Sequence, residues 1–419
     1  MNFYFILFLL YVVSPKISLV GEGAPVRPED LISIVAIVAF IMLPRRRDIS
    51  VSLPVKLYCV FIFVNFASVI INFADIGPTG LLYAFRLIQY LAWYFILYEA
   101  CHEVSWLTMR RSFIVISSIF IIWGVLEASA VIPVIGKFAG ATQRLTINTS
   151  GPFETSVMLA MLAYAVSSYI VAVPLLVLVF FTQSRVTLVG MVVSYFSSRP
   201  LRAVVAGMLV FVLYPLAIQP LMNSLSDTRI GQSESPERMA NVLIVSWQRA
   251  PVLDDPSFFR ERLLDGNTIT RYMVDTKGDM SFRLRAVRWP TLIKSTFNNP
   301  LALLIGWSPG AWSNALDNYY VRIFGETGLI GLVTFLIWLG VTIKRLEPNG
   351  VARYSLIMMA VVGVFIDIFT SSKVMPLLWA FIAFEEARHP FALPQKLKPG
   401  EMLRRPRGRW LGFGGGAAR

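Results

Sequence analysis

Two stretches of the 419-residue chain hold the side chains best suited to chemistry. In "MSFRLRAVRWPTLIKSTF", Arg283, Arg285, Arg288 and Lys294 lie together with no carboxylate among them. On a helix, Arg285 and Trp289 share a face at four-residue spacing, with Arg288 beside them. Pro290 is expected to kink or end that helix, because it removes a backbone donor and crowds the preceding turn. Taken alone, the cluster reads as a solvated basic face resting on anionic lipid headgroups. In "DNYYVRIFGETGLIGL", which starts at Asp317, Asn318, Arg322 and Glu326 recur at helical spacing, so Arg322 and Glu326 can pair. Gly325, Gly328 and Gly331 form a second row and read as close helix packing.

The elements that must position these residues are membrane helices. The chain is 56% hydrophobic and only 15% charged, a composition of polytopic membrane proteins. Apolar runs recur at 3–20, 30–44, 54–73, 79–99, 112–135, 153–170, 171–183, 186–197, 203–219, 319–343, 354–371 and 374–385. They predict an all-α protein with about twelve transmembrane helices, the stretch 153–197 being the hardest to divide. The first run lacks a small-residue cleavage site and contains Pro15 and Lys16, so it reads as a retained helix.

A net charge of +13 raises the question of nucleic acid, but the basic residues bunch in short connections between apolar runs. Arg45 to Arg47, Arg110 and Arg111, Arg199 and Arg202, Lys344 and Arg345, and the arginines from 404 to 409 occupy every second connection. That pattern reports topology, with both termini cytoplasmic, and excludes a nucleic-acid partner. The expected organisation is helices one to nine over 1–219, a large outer loop over 220–318, helices ten to twelve over 319–385, and a basic cytoplasmic tail over 386–419. Cys59 and Cys101 lie toward the cytoplasmic side without metal or redox spacing. His102 and His389 are cytoplasmic as well, so outer chemistry falls to arginines and carboxylates.

Ionisable residues within the runs cluster at one depth. Arg86, Glu127, Arg322, Glu326 and Asp367 fall in outer halves, Arg185 marks an outer helix boundary, and the inner halves hold almost nothing ionisable. Such a residue at the bilayer centre costs about 2.5 to 3.5 kcal/mol, so it faces a polar cavity or a partner. The distribution predicts a water-filled cleft beneath the loop, walled by residues 317 to 326.

Three motifs in order, "TQSRVTLVG" at 182–190, Arg285 to Trp289 followed by "NNPLALLIGWSPGAW", and "DNYYVRIFGETGLIGL", resemble the O-antigen polymerase and ligase family of bacterial envelope proteins. The resemblance covers roughly 140–345; the first helices match in hydropathy only. It implies a C-type glycosyltransferase-like fold with one large periplasmic loop in the bacterial inner membrane. It also implies action on sugars carried by undecaprenyl pyrophosphate and a chain-length regulator as protein partner; the sequence has no zinc spacing or glycine-rich phosphate loop, so neither metal nor cofactor is expected.

Residue by residue, the resemblance assigns Arg185 and Arg285 to the pyrophosphate or sugar donor. A guanidinium forks onto phosphate oxygens and stabilises a leaving pyrophosphate. Asp317 or Glu326 would be the general base. Arg86, Arg283, Arg288, Trp289, Asn318 and Arg322 would bind substrate. Ligases carry a histidine where this chain has Asp317, which favours a polymerase over a ligase moving a finished chain to lipid A core. A transporter of lipid-linked sugar is the competing class, often built from repeats with matching broken helices, and the sequence shows none. Asp254 and Asp255 read as a turn with Pro256 rather than a metal site.

Overall fold

The computed structural model describes residues 2–17, 27–43, 51–134, 144–166, 168–197, 236–253, 280–311 and 316–388. Among these the regular structure is helical, and no strand occurs. In chain order the helices are α1 (Phe3–Val13), α2 (Pro28–Met42), α3 (Leu53–Ile71), α4 (Phe73–Ile76), α5 (Pro78–Ala100), α6 (Trp106–Ala128), α7 (Pro152–Ala165) and α8 (Tyr169–Phe181). They continue with α9 (Arg185–Ser197), α10 (Pro236–Arg249), α11 (Met280–Asn298), α12 (Pro300–Ile305), α13 (Tyr319–Arg345), α14 (Val351–Gly363) and α15 (Val374–Arg388). Four of them, α3, α5, α6 and α13, are long and apolar enough to cross a membrane. The protein is thus helical and of membrane type.

Each expected apolar run carries a helix except 203–219, which lies outside the described residues together with Asp254, Asp255 and the tail from 389. The difficult stretch 153–197 divides into α7, α8 and α9. α1, α7 and α14 are shorter than expected. α1 stops at Val13 because Ser14 precedes Pro15, whose ring disfavours the helical conformation before it. α14 stops at Gly363, and the chain then passes Asp367 into a 3-10 turn at Ile368–Thr370.

Hydrogen bonds between distant segments sort the helix ends into two sets. At one end Lys16, after α1, reaches Glu154 in the first turn of α7 at 2.8 Å. Lys373, before α15, donates to the carbonyls of Tyr11 and Ser14 at 2.7 and 2.6 Å. Ser68, near the end of α3, donates to the Glu326 carbonyl at 2.8 Å. At the other end Tyr94 bonds Glu386 and the Glu347 amide bonds Glu385. Glu99 and Glu385 close expected apolar runs and Glu386 follows one, and all three are buried at this second end. Between the ends the core is aromatic, with Tyr58 of α3 placed 5.0 Å from Trp338 of α13 and 4.9 Å from Trp379 of α15.

α13 is not one straight helix. Gly328 has φ 64° and ψ −163°, which breaks it into two segments. A break strands carbonyls that a continuous helix would satisfy, and in lipid no water replaces the partner. Here the chain after α12 supplies the donors: the Trp307 amide bonds the Gly325 carbonyl at 2.8 Å, and the Ser308 amide bonds that of Glu326 at 3.0 Å. The approach requires two glycines. A Cβ on Gly328 would lie 2.3 Å from the Leu304 backbone, and one on Gly306 would lie 2.2 Å from that of Glu326. Close packing was the sequence expectation for Gly328; the break itself was not foreseen.

Candidate functional site

α11 lies against the start of α13, and its grip on residues 316 and 317 organises the site. The Trp289 indole donates to the Leu316 carbonyl at 2.7 Å. One turn earlier on the same face, Arg285 Nε meets Asp317 Oδ2 at 3.3 Å. Helical spacing thus sets the two grips side by side. Of the two outcomes expected at Pro290, a kink or an end, the end does not occur, and the helix continues to Asn298. The hydroxyls of Thr291 and Ser295 bond the carbonyls of Val287 and Thr291, which supports the backbone around the proline.

Asp317 sits at φ 54°, in the left-handed region that aspartate tolerates better than most residues. Its neighbour Asn318 caps α13, with Oδ1 accepting from the Tyr320 and Val321 amides at 3.1 and 3.0 Å. That engages the Asn318 oxygen in the helix cap. One turn further, Arg322 Nε meets Glu326 Oε1 at 3.1 Å and its Nη1 meets Asp367 Oδ2 at 3.2 Å. Glu326 Oε1 also accepts the Gly310 amide at 2.9 Å. The Arg322 and Arg86 guanidinium carbons lie 5.5 and 5.6 Å from the centroid of one ring, Tyr83.

Exposure is graded across this set. Arg322 is 1% exposed and Glu326 is buried, so the expected wall of a wet cleft is closed at their depth. The Asp317 side chain is 40% exposed, which makes it the carboxylate with a free face. Arg288, on α11, is buried; burial lowers its guanidinium from the ordinary value, and Asp317 opposes that shift. Arg283 lies half-buried on the same helix. Arg285, Arg288 and Arg322 thus face Asp317, Glu326 and Asp367, an arrangement suited to holding an anion beside a carboxylate, with Arg86 linked to it through the Tyr83 ring.

Comparison with family models, with curated proteins and with solved structures found no match to this chain. The site therefore rests on its own geometry.

Arg185 is connected to the set through α14. It opens α9, whose Gly190 packs against Met358 and Val362, and α14 leads on to Asp367. Glu127, expected among the cleft residues, instead accepts the Thr146 and Ile147 amides at 2.7 Å each. A groove of about 540 Å³ between α6 and α8, lined by Val125, Val173 and Phe181 among others, carries no ionisable side chain and is remote from this chemistry. Sequence reasoning missed Tyr83 and a second buried cluster, in which Lys16 pairs with Glu154, and Lys373 lies 3.9 Å from Glu29. The signal was present: Lys16, Glu154 and Lys373 are ionisable residues at the edges of apolar runs, where a partner is obligatory.

Proposed function

We propose that the protein is a metal-independent glycosyltransferase of the bacterial inner membrane, with about twelve spans and both termini cytoplasmic. In this reading it joins undecaprenyl-pyrophosphate-linked oligosaccharide repeat units into an O-antigen or exopolysaccharide chain at the periplasmic face. The observation that carries the reading is the Arg285–Asp317 pair, a guanidinium and a part-exposed carboxylate 3.3 Å apart at the polar end of the bundle. The likeness of its three motifs to the O-antigen polymerase and ligase family supports it.

Asp317 would take the proton from an acceptor hydroxyl as that oxygen attacks the anomeric carbon of the donor. The bond from that carbon to the pyrophosphate oxygen breaks as the new glycosidic bond forms. Arg285 and Arg288, with Arg185, would hold the leaving pyrophosphate, whose negative charge grows in the transition state. Glu326, already engaged by Arg322 and Gly310, serves as a positioning group rather than the base. Trp289 holds the loop that carries Asp317.

One observation favours a transporter of lipid-linked sugar as the second reading: the break in α13 at Gly328, because transporters bind substrate at broken helices. Such sites use matching breaks in two halves, and no second helix among those described is interrupted by left-handed backbone. Purified protein in liposomes with lipid-linked repeat units separates the readings. A polymerase yields a ladder of lengths, and a ligase yields one product on lipid A core. A transporter moves the lipid-linked sugar across the bilayer and makes neither product, which would remove the proposal.

A further inference from the structure

The segment joining α11 to α13 presents apolar side chains where a solvated lobe would present polar ones. Phe297, Leu301 and Leu304 are 60%, 52% and 50% exposed. From Pro300 to Ile305 the chain holds no polar or charged residue. Leu301 and Leu304, three apart, share one face of α12.

The depth of α12 in the molecule is fixed by backbone contacts. Leu304 abuts Gly328 and Gly306 abuts Glu326, while Asn72 Nδ2, at the end of α3, donates to the Gly306 carbonyl at 3.2 Å. α12 is therefore level with the last turn of α3 and with the start of the long segment of α13. At that level Ile70 and Ile71 of α3, and Leu329, Ile330 and Val333 of α13, are also exposed. These lie on helices of membrane-crossing length, whose exposed apolar faces hydrocarbon would cover. The exposed face of α12 continues that band, and this continuity selects lipid over a protein partner.

Amides at both ends of α12 are paired, as hydrocarbon demands of an inserted segment. Asn299 Oδ1 accepts the Leu301 and Ala302 amides at 3.0 and 3.1 Å. The Leu303 amide bonds the Asn299 carbonyl and the Gly306 amide bonds that of Ala302.

We propose that α12, with Phe297, inserts into the bilayer leaflet on the side of the site and acts as a lipid anchor. The ligand is the acyl-chain region of that leaflet. The anchor holds the end of α11, and so sets Arg285 and Trp289 near headgroup level, where an anion carried on a lipid would arrive.

The test uses the full-length protein in nanodiscs, with Cys59 and Cys101 replaced by alanine and one new cysteine carrying an environment-sensitive fluorophore. Labels at Leu301→Cys and Leu304→Cys are expected to show blue-shifted emission, loss of fluorescence with doxyl-labelled lipid, and no loss with iodide. A label at Ile337→Cys, on the exposed stripe of α13, serves as the lipid reference, and one at Asn349→Cys, in an exposed turn, as the aqueous reference. Iodide quenching at 301 and 304 equal to that at 349, without quenching by doxyl lipid, would overturn the anchor. The readout needs no chain growth, so its outcome is separate from that of the glycosyltransferase reading.

Discussion

Two buried ionic clusters share one end of the bundle, and they differ in how they are closed. In the first, Lys16 meets Glu154 at 2.8 Å, Ser372 donates to Glu29 at 3.0 Å, and Lys373 is bonded to carbonyls of Tyr11 and Ser14. These bonds tie α1, α2, α7 and α15 together. In the second, Arg322 is enclosed by Glu326 and Asp367, but the set opens outward through Arg285 to an Asp317 that keeps an accessible face. Charge that is fully matched and enclosed holds helices in register; charge that is left in reach of solvent can meet a substrate. The first cluster is a fastening and the second a place for chemistry.

The sharpest test of this contrast is Asp317→Asn. Loss of a general base lowers chain growth by about 10²- to 10⁴-fold, with the melting temperature unchanged because the residue is partly exposed. A wild-type ladder from this variant would take the base role from Asp317. Arg285→Ala follows, with an expected loss of about 10²- to 10³-fold for one donor to the leaving pyrophosphate. Arg185→Ala is expected to do the same, and both variants should remain inserted; normal ladders from both would dissolve the site.

In the first cluster the expected outcome is reversed. Glu154→Ala strands Lys16 beside an apolar core and costs about 3–5 kcal/mol of stability, read as a lowered melting temperature in detergent. Chain growth per folded molecule should stay near normal. An unchanged melting temperature with activity abolished would make this cluster, too, a site. A loss of stability is expected at the break in α13 as well. Gly328→Ala places a side chain at left-handed φ against the Leu304 backbone, and the conformational strain alone costs about 1–3 kcal/mol. Gly340→Ala, where a Cβ meets nothing within 4 Å, is the control and should be neutral or slightly stabilising.

Much of the site could be read from spacing along single helices. The Arg322–Glu326 pair and the shared face of Arg285 and Trp289 are both four-residue relations, and both occur in the fold. Expectation failed where one element meets another. Pro290 carries the local signature of a kink or a helix end, and the end does not occur: α11 runs through it, supported by hydroxyls and by packing against α13. Glu127 has the depth of a cleft residue, and its oxygens are instead used by the amides of a loop about twenty positions away.

Apolar run length and helical periodicity alone specified that the chain is helical and membrane-type, and which side chains share a helix face, because these follow from rise and twist per residue. The partner of each charged face did not follow from them. Asp317 reaches Arg285 across 32 positions and Asp367 reaches Arg322 across 45, while Lys16 and Glu154 are 138 apart. No local spacing encodes such meetings. They exist because folding brings helix ends together where water is scarce, and there a buried charge must find its counterpart in whatever element has been packed beside it.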